Sequence, residues 1–256
     1  MGAAVSAAAG ALDVVLLTMV YVLRLAAGAF MAQGTARCRR PEQTLTLVDW
    51  EADPDCRRVR ETLCVLDIDV VVKPCPHRGT RFRHELDGGG RPPFLLDPNS
   101  GQRIAGGEAI IKHLWRQYGN EATPPMNYRL IRTGPLDKAT GALASAIRFR
   151  DREGRCKVES SVPDEPLVLW GSEGSPFVAR VREALCVLEL PYVYRTAPKF
   201  NSVKRKEYKR RFGNMLSLAR KNSGLIQIPL LEDPNTGEVL LESADIIEYL
   251  FRVYES

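Results

Sequence analysis

The sequence carries no strong excess of either charge. Its 256 residues include 36 Lys and Arg against 31 Asp and Glu, which gives a formal net charge of only +5. A charge this mild permits contact with anionic ligands or surfaces, but it does not indicate a nucleic-acid-binding protein. We therefore expect no nucleic acid among the partners. The hydrophobic fraction of 45% is that of an ordinary globular chain, long enough for one large domain or two small ones.

The chain also lacks a disulfide framework. Small secreted domains are short and dense in paired cysteines, whereas six cysteines are spread unevenly here over a chain long enough to bury a core. They are Cys38, Cys56, Cys64, Cys75, Cys156 and Cys186. This usage predicts a reducing, intracellular compartment. No spacing of Cys and His matches a common zinc pattern, so we expect no metal site.

Long apolar runs are missing as well. A strongly apolar segment, residues 14–23, is only ten residues long and lies between Asp13 and Arg24, whereas a membrane-spanning helix needs roughly 20 residues. The alanine-rich flanks could extend the segment to that length, so a membrane span stays an alternative. A secretory signal fits less well because no Lys or Arg precedes the run.

Five apolar residues of this N-terminal region follow helical spacing and form one stripe. They are Leu12, Leu16, Met19, Leu23 and Phe30. We favour a helix that packs on the body of the protein along this stripe, with residues 1–40 serving as a helix and connector. Association of residues 12–31 with a membrane is the alternative.

An internal repeat determines the predicted fold. Residues 54–76 and 176–198 match at roughly half of their positions without a gap. The match resumes at residues 93–101 and 229–237, which share the sequence Asp-Pro-Asn-Xaa-Gly. That sequence favours a turn, because Pro presets one torsion and Gly supplies a positive φ. Each copy, about 80 residues long, therefore has the size of one small domain.

Apolar periodicity gives both copies the same order of elements, β-α-β-α-β-β-α. The predicted fold class is thus α/β, with two similar domains in tandem behind an N-terminal helix. We place the first domain at residues 41–119 and the second at residues 166–256. Residues 120–165 are expected to link them, because prolines interrupt this stretch, and residues 139–150 within it are a candidate helix.

Several motifs then resemble a known family. The Ser-Pro-Phe turn at Ser175, the proline at Pro229 before a hairpin, and Glu242-Ser243 at the last helix resemble the glutaredoxin-like N-terminal domain of glutathione transferases. With a Pro-Cys-Pro sequence at Cys75, the tandem arrangement is similar to duplicated proteins of this kind from plants and algae. The resemblance implies two thioredoxin-like domains without the all-helical C-terminal domain of true glutathione transferases. It also implies a plastid or cytoplasmic location.

The resemblance further implies a glutathione site in the second copy. Ser175 would face the sulfur of this small thiol ligand and is the candidate catalytic residue. Ile228, before a cis proline, would pair with the ligand backbone as an added strand does. A helix N-terminus commonly takes an anion such as the γ-glutamyl carboxylate. The implied site residues are Ser175, Phe177, Ile228, Pro229, Glu242 and Ser243. Alternatively, Ser175 and Ser243 are only helix N-caps.

The first copy departs from the pattern at each of these points. Asp53 takes the place of Ser175, and its carboxylate would repel a thiolate. Pro92 precedes Pro93, so the residue that should donate an N–H has none. Gly106 and Gly107 replace the Glu-Ser pair. We expect the first copy to have a structural role and not to bind glutathione in the family manner.

Three functions remain open at this point. The first is a glutathione-binding, transferase-like protein that uses the thiol of the cofactor as nucleophile. The second is a non-catalytic scaffold or protein-interaction module, favoured by the absence of Cys from the first position of either turn. The third, glutaredoxin-like thiol exchange through Cys56 or Cys75, is the weakest, because neither occupies the first position of its turn.

Residues 199–221, from Lys199 to Lys221, are rich in Lys and Arg. A solvated helix face is the ordinary interpretation of such a stretch. The functional alternatives are attraction of an anionic ligand and docking on a protein partner or an anionic surface.

Overall fold

The computed structural model describes residues 2–86, 90–148, 154–199, 202–219 and 226–256. Within these ranges the chain forms eight strands and eight α-helices. The strands are β1 (Leu45–Asp49), β2 (Val70–Pro74), β3 (Phe94–Asp97), β4 (Gln102–Ala105), β5 (Leu167–Gly171), β6 (Tyr192–Thr196), β7 (Leu230–Asp233) and β8 (Glu238–Leu241). The helices are α1 (Gly2–Leu23), α2 (Pro54–Val65), α3 (Gly107–Tyr118), α4 (Met126–Ile131), α5 (Gly134–Ile147), α6 (Pro176–Val187), α7 (Val203–Ala219) and α8 (Ser243–Tyr254).

All eight strands belong to one sheet, in the order β4-β3-β1-β2-β6-β5-β7-β8. Each copy has a parallel pair and an antiparallel hairpin, which confirms the predicted α/β class and the tandem arrangement. The copies join where β2 and β6 pair antiparallel, with Val71 opposite Val193. These two valines are equivalent in the repeat, so a pseudo-twofold axis passes between them. Each copy thereby covers the open sheet edge of the other.

The helices lie on both faces of this sheet. Leu169 and Leu231 point to the face that holds α2 and α6, and their neighbours Trp170 and Leu230 point to the face that holds α7, as strand alternation requires. Helices α3 and α8 pack beside α2 and α6, and α1 and α5 lie outside them. As a result every side chain of α2 from Cys56 onward is buried, charged ones included.

The copies differ in their second helix, which was predicted for both. In the second copy it is α7, whereas the described part of the first copy forms only a 3-10 turn, Arg83–Glu85. The sequence explains the difference, because the second copy is 14 residues longer here: 122 residues separate Pro54 from Pro176, but 136 separate Pro93 from Pro229. The prediction of a helix at this point of the first copy was wrong.

Helix α1 packs on the body of the protein, but not along the predicted stripe. Leu17 and Val20 are buried, whereas Leu12 and Met19 of that stripe are about half exposed. Ion pairs determine which face turns inward: Asp13 pairs with Arg148 at 3.1 Å, and Arg24 pairs with Glu61 at 2.6 Å and Asp137 at 2.9 Å. None of the described helices is long and apolar enough to cross a membrane.

The linker is also more helical than expected. Helix α5 begins at Gly134, five residues before the predicted start at position 139, and ends at Ile147. The last predicted positions, 149 and 150, lie outside the described residues. Helix α4 was not predicted at all.

One buried aspartate fastens each hairpin to the last helix of its copy. Asp97 accepts a hydrogen bond from the Tyr118 hydroxyl at 2.8 Å and lies 2.7 Å from Nε2 of His113. Asp233 accepts hydrogen bonds from Tyr249 at 2.7 Å and Tyr254 at 2.6 Å. Burial opposes the charge of Asp97, but hydrogen bonds from its neighbours lower the pKa of this carboxyl to about 2. The Asp of the turn motif is therefore a structural anchor in both copies.

Candidate functional site

The sheet brings the three parts of the predicted site to one end of the second copy. Trp170, near the end of β5, lies opposite Leu230 at the start of β7. Leu230 in turn lies opposite Leu241 at the end of β8. Ser175 follows the end of β5, Pro229 precedes the start of β7 and Glu242 follows the end of β8. All three residues therefore lie at the same end of the strands.

Ser175 is the N-cap of α6. Its Oγ accepts a hydrogen bond from the backbone N–H of Val178 at 3.4 Å, and Pro176 fills the first helical position, where a missing N–H costs nothing. Because the hydroxyl oxygen accepts this bond, its own proton stays available for a further acceptor. Phe177 follows with 45% of its surface exposed. The capping interpretation of Ser175 thus holds, and it does not compete with a contact to a ligand.

The Ile228–Pro229 peptide bond is cis, as the resemblance implied. Among the described residues, the N–H and C=O of Ile228 have no backbone hydrogen-bond partner. Such a pair of free groups beside a strand is what an extended peptide needs in order to add on. The Pro92–Pro93 bond of the first copy is also cis, but Pro92 has no N–H to offer.

Glu242 has an unusual backbone conformation. Its φ is +70°, in the left-handed region that favours glycine, and it directly precedes Ser243 at the start of α8. Ser243 is 5% exposed. The Glu242 carboxylate accepts a hydrogen bond from Nε2 of Gln227, while Oε1 of Gln227 is buried without a partner in the described structure. The start of α8 thus has a carboxylate beside its N-terminal N–H groups, and Gln227 is joined to that carboxylate by a hydrogen bond.

The N-terminal segment covers the turn that precedes Ser175, which the sequence did not predict. Gly174 packs so closely that a Cβ there would lie 2.5 Å from Cβ of Ala29 and 2.8 Å from the ring of Tyr21. Lys199 donates its N–H to the carbonyl of Ala29 at 2.7 Å, and Met31 donates to the carbonyl of Lys199 at 3.1 Å. The segment therefore forms a wall beside the candidate site of the second copy.

The corresponding cleft of the first copy is filled by its own side chains. Asp53 caps α2 by accepting hydrogen bonds from the N–H groups of Asp55 and Cys56, both at 2.9 Å. Asp55 then lies against the start of α3, where a Cβ on Gly107 would lie 3.0 Å from that of Asp55. Arg58 bridges this Asp55 and Asp137 of α5 at 2.7 and 2.8 Å.

A buried ion network lies between the two copies, close to both turns. Arg182 pairs with Glu51 of the first copy at 3.0 Å and with Glu173 at 3.1 Å. Arg60 pairs with Asp49 at 2.7 Å and reaches across to Glu173 at 3.4 Å. Burial raises the pKa of Asp49 to about 6 although Arg60 opposes the shift. For Glu51, the two arginines outweigh burial and lower the pKa. This network fixes the loops that carry Asp53 and Ser175.

The two cysteines that were considered for thiol chemistry are both buried. Burial, followed by the charges of Asp49 and Asp53, raises the pKa of Cys56 well above its ordinary value. Burial also raises the pKa of Cys75. A thiol reacts as its thiolate, so these surroundings weigh against a redox role.

The basic stretch 199–221 is partly used in ion pairs. Lys204 pairs with Asp67 at 3.1 Å and Arg211 with Glu232 at 2.5 Å. Lys206, Lys209 and Arg210 are exposed on α7. Positions 200, 201, 220 and 221 of this stretch lie outside the described residues.

Comparison with known proteins agrees with the tandem repeat. No curated protein and no solved structure gave a match. A family model, described as glutathione S-transferase, N-terminal domain, matches residues 47–122 and again residues 169–256. The two matches coincide with the two copies and together cover well over half of the chain. The chain therefore belongs to the glutathione S-transferase N-terminal domain family, with two copies of that domain in tandem.

Proposed function

We propose that the chain binds glutathione through its second copy and acts as a glutathione-transferase-like protein. The observation that carries this proposal is the strained Glu242 with Ser243 at the start of α8, next to Ile228, whose backbone has no backbone partner among the described residues. Strained backbone is retained mainly where function requires it. The first copy has Gly106 at the position of Glu242, so a strained residue at this position is not a requirement of the fold.

Each group of the proposed site has a separate task. The N–H and C=O of Ile228 would pair with the peptide backbone of the ligand. The N–H groups at the start of α8, with the Ser243 hydroxyl, would take the γ-glutamyl carboxylate, since helix N-termini attract anions. The carboxylate of Glu242 would accept from the ligand ammonium. Bound glutathione supplies a nucleophilic thiol, and the Ser175 hydroxyl with the α6 N-terminus would stabilise its charge.

An apolar electrophile would need a second wall, which true glutathione transferases build from a further helical domain. Here the segment around Ala29 and the exposed ring of Phe177 flank Ser175 and would provide it. The exposed cations on α7, Lys206, Lys209 and Arg210, would raise the local concentration of an anionic ligand or hold an anionic partner.

The non-catalytic scaffold remains the second candidate. The observation that favours it is the buried ion network, which joins the two copies rigidly through Arg60 and Arg182. The first copy has Asp53 in place of Ser175, the residue that would face the thiol, and this agrees with a structural role for that copy.

Calorimetric titration of reduced glutathione into the full chain tests the proposal. We expect one molecule bound per chain, with a dissociation constant in the millimolar range or tighter. Glu242→Gln and Ser243→Ala should each weaken binding at least tenfold, whereas Glu238→Gln, an exposed acid on the same hairpin, should not. No heat at several millimolar ligand, or equal affinity in all variants, would favour the scaffold.

A further inference from the structure

The segment after α1 and the segment after α5 make equivalent contacts in the two halves of the chain. Met31 donates its N–H to the carbonyl of Lys199, and Lys157 donates to the carbonyl of His77, both at 3.1 Å. His77 and Lys199 are themselves equivalent positions of the repeat, 122 residues apart. Each segment therefore crosses to the copy in the other half of the chain. For this reason residues of the first half form the wall beside the turn of the second copy.

A small cavity lies where this wall meets the start of α6. Its volume is about 20 Å³, which is room for one atom of the size of a water oxygen. Ser175 and Pro176 line it from the second copy, whereas Tyr21 of α1 and Arg57 of α2 line it from the first half. Because Ser175 would face the sulfur of bound glutathione, the cavity adjoins the place of that sulfur under the proposed function.

Arg57 is buried at this cavity without a partner for its side chain. It is 5% exposed, its Nε has no hydrogen-bond partner, and its guanidinium forms no ion pair within the described ranges. Burial lowers the pKa of Arg57, and the carboxylates of Glu51 and Glu173 oppose the shift from a longer distance. A buried cation without a direct partner costs the fold several kcal/mol. Its presence therefore indicates an anion that binds beside it.

The charges around the cavity leave one arginine over. Five charged side chains line it: Arg24, Arg57, Arg182, Glu61 and Glu173. Glu61 pairs with Arg24 at 2.6 Å, and Glu173 pairs with Arg182 at 3.1 Å, so both acids already have an arginine. Oε2 of Glu173 is also buried without a hydrogen-bond partner in the described structure. A single water between Arg57 and this oxygen is the alternative to a bound anion.

The repeat shows that the fold does not require an arginine at this point of the helix. The position of α6 that is equivalent to Arg57 of α2 is Ala179, 122 residues later. The two turns are equivalent in the same way, with Asp53 in the first copy and Ser175 in the second. By this pseudo-twofold symmetry, the turn with a serine has an arginine from the other copy, and the turn with an aspartate has an alanine.

We propose that Arg57 of the first copy, together with Ser175, stabilises the thiolate of glutathione bound to the second copy. This inference rests on the proposed function. The bound thiol would lose its proton to water, and the sulfur would keep the electron pair that accepts from the guanidinium and the serine hydroxyl. A neighbouring opposite charge favours the ionised form and lowers a pKa by about 1–3 units. The first copy would thereby contribute a residue to the site of the second.

Ultraviolet absorbance of the thiolate measures the pKa of reduced glutathione bound to the full chain. In the wild type we expect it at least about one unit below the value near 8.5 of an ordinary thiol. Arg57→Met should raise the pKa of the bound thiol by about one unit or more, and Arg57→Lys should restore most of the lowering. Arg116→Met, which removes an exposed arginine of α3, is the matched control and should leave the pKa unchanged.

Glutathione affinity separates this role from a general contribution to binding. At a pH below the pKa of the bound thiol, the dissociation constant of Arg57→Met should stay within about twofold of the wild type, because the proposed contacts at Ile228 and Ser243 are not changed. An unchanged thiol pKa in Arg57→Met would overturn the inference and leave only a bridging water in the cavity.

Urea unfolding without ligand tests Arg57 independently of glutathione. Arg57→Met should be at least as stable as the wild type, because the substitution removes a buried charge that has no direct partner. A clear loss of stability would assign Arg57 to the ion network between the copies and overturn the inference, even if the wild type binds glutathione. A wild type that binds no glutathione would end the proposed function and this inference together, whatever the stability of the variant.

Discussion

Glu242 and Gly106 occupy the same position in the two copies, and both have a left-handed backbone, with φ of +70° and +85°. Glycine adopts this conformation freely, whereas another residue bears a cost of about 1–3 kcal/mol. The first copy has the relaxed residue and the second keeps the strained one. Under the proposed function, the difference separates what the fold requires at this turn from what the ligand requires.

Glu242→Gly should therefore increase the free energy of unfolding by about 1 kcal/mol while abolishing glutathione binding, because relief of strain outweighs the added freedom of the unfolded chain. Urea denaturation and calorimetry measure the two effects. Glu242→Ala is the matched control, since it removes the same carboxylate but keeps the strain. A glycine variant less stable than the alanine variant would contradict the assignment.

The ion network between the copies should respond strongly to loss of one cation. Arg182→Met leaves Glu51 and Glu173 with fewer partners in a buried site, which typically costs about 3–5 kcal/mol of unfolding free energy. Arg252→Met, on the exposed side of α8, should change it by less than about 0.5 kcal/mol. Equal stability of the two variants in urea would show that the network does not hold the copies together.

The low pKa of Asp97 predicts a loss of stability in acid. The pKa is about 2 in the folded chain and near 4 in the unfolded chain, so the stabilisation is complete above pH 4 and is lost as the pH falls toward 2. The unfolding free energy of Asp97→Asn should decline less steeply over this range than that of the wild type. The exposed Asp164→Asn should keep the wild-type slope, and a parallel decline in all three proteins would refute the assignment.

The buried thiols should be inert in the folded protein. At pH 8, iodoacetamide should leave Cys56 and Cys75 unmodified for as long as the chain stays folded, because burial raises the pKa of both thiols. Cys156, which is only half-buried, is the internal reference. Peptide mass spectrometry reports all three positions, and rapid native labelling of Cys56 would restore the thiol-exchange hypothesis.

Most of the fold was predictable from the internal repeat in the sequence. Residues that are close in the sequence determine the strands, the turn motifs and the helix after the first strand of each copy. For this reason α2 and α6, which begin at Pro54 and Pro176, were predicted correctly. The pairing of Val71 with Val193 was not predictable, because it joins residues 122 positions apart. For the same reason the inward face of α1 escaped prediction: Arg148, the partner of Asp13, is 135 residues away.

The candidate site was predictable to a similar extent. Pro229 and Glu242 are recognised from short motifs; the Ile228–Pro229 bond is cis and Glu242 directly precedes α8, whereas their contact with a ligand stays a prediction. The covering of Gly174 by Ala29, the ion network and the unpaired Oε1 of Gln227 depend on packing between distant segments. For the covering by Ala29, the one signal in the sequence was Gly174 itself. The local backbone before an N-cap serine does not require a glycine, so a glycine there indicates a close neighbour.

Backbone amide NMR of the full chain during titration with reduced glutathione distinguishes a site in the second copy from any other. Saturable shift changes are expected at the amides of Ile228, Ser243 and Val178, and none at Gly107 or Cys56, the corresponding positions of the first copy. Ile228→Pro, which copies the Pro-Pro sequence of the first domain, should abolish the changes while the rest of the spectrum stays folded. Shifts confined to the first copy, or none at all, would contradict a glutathione site in the second.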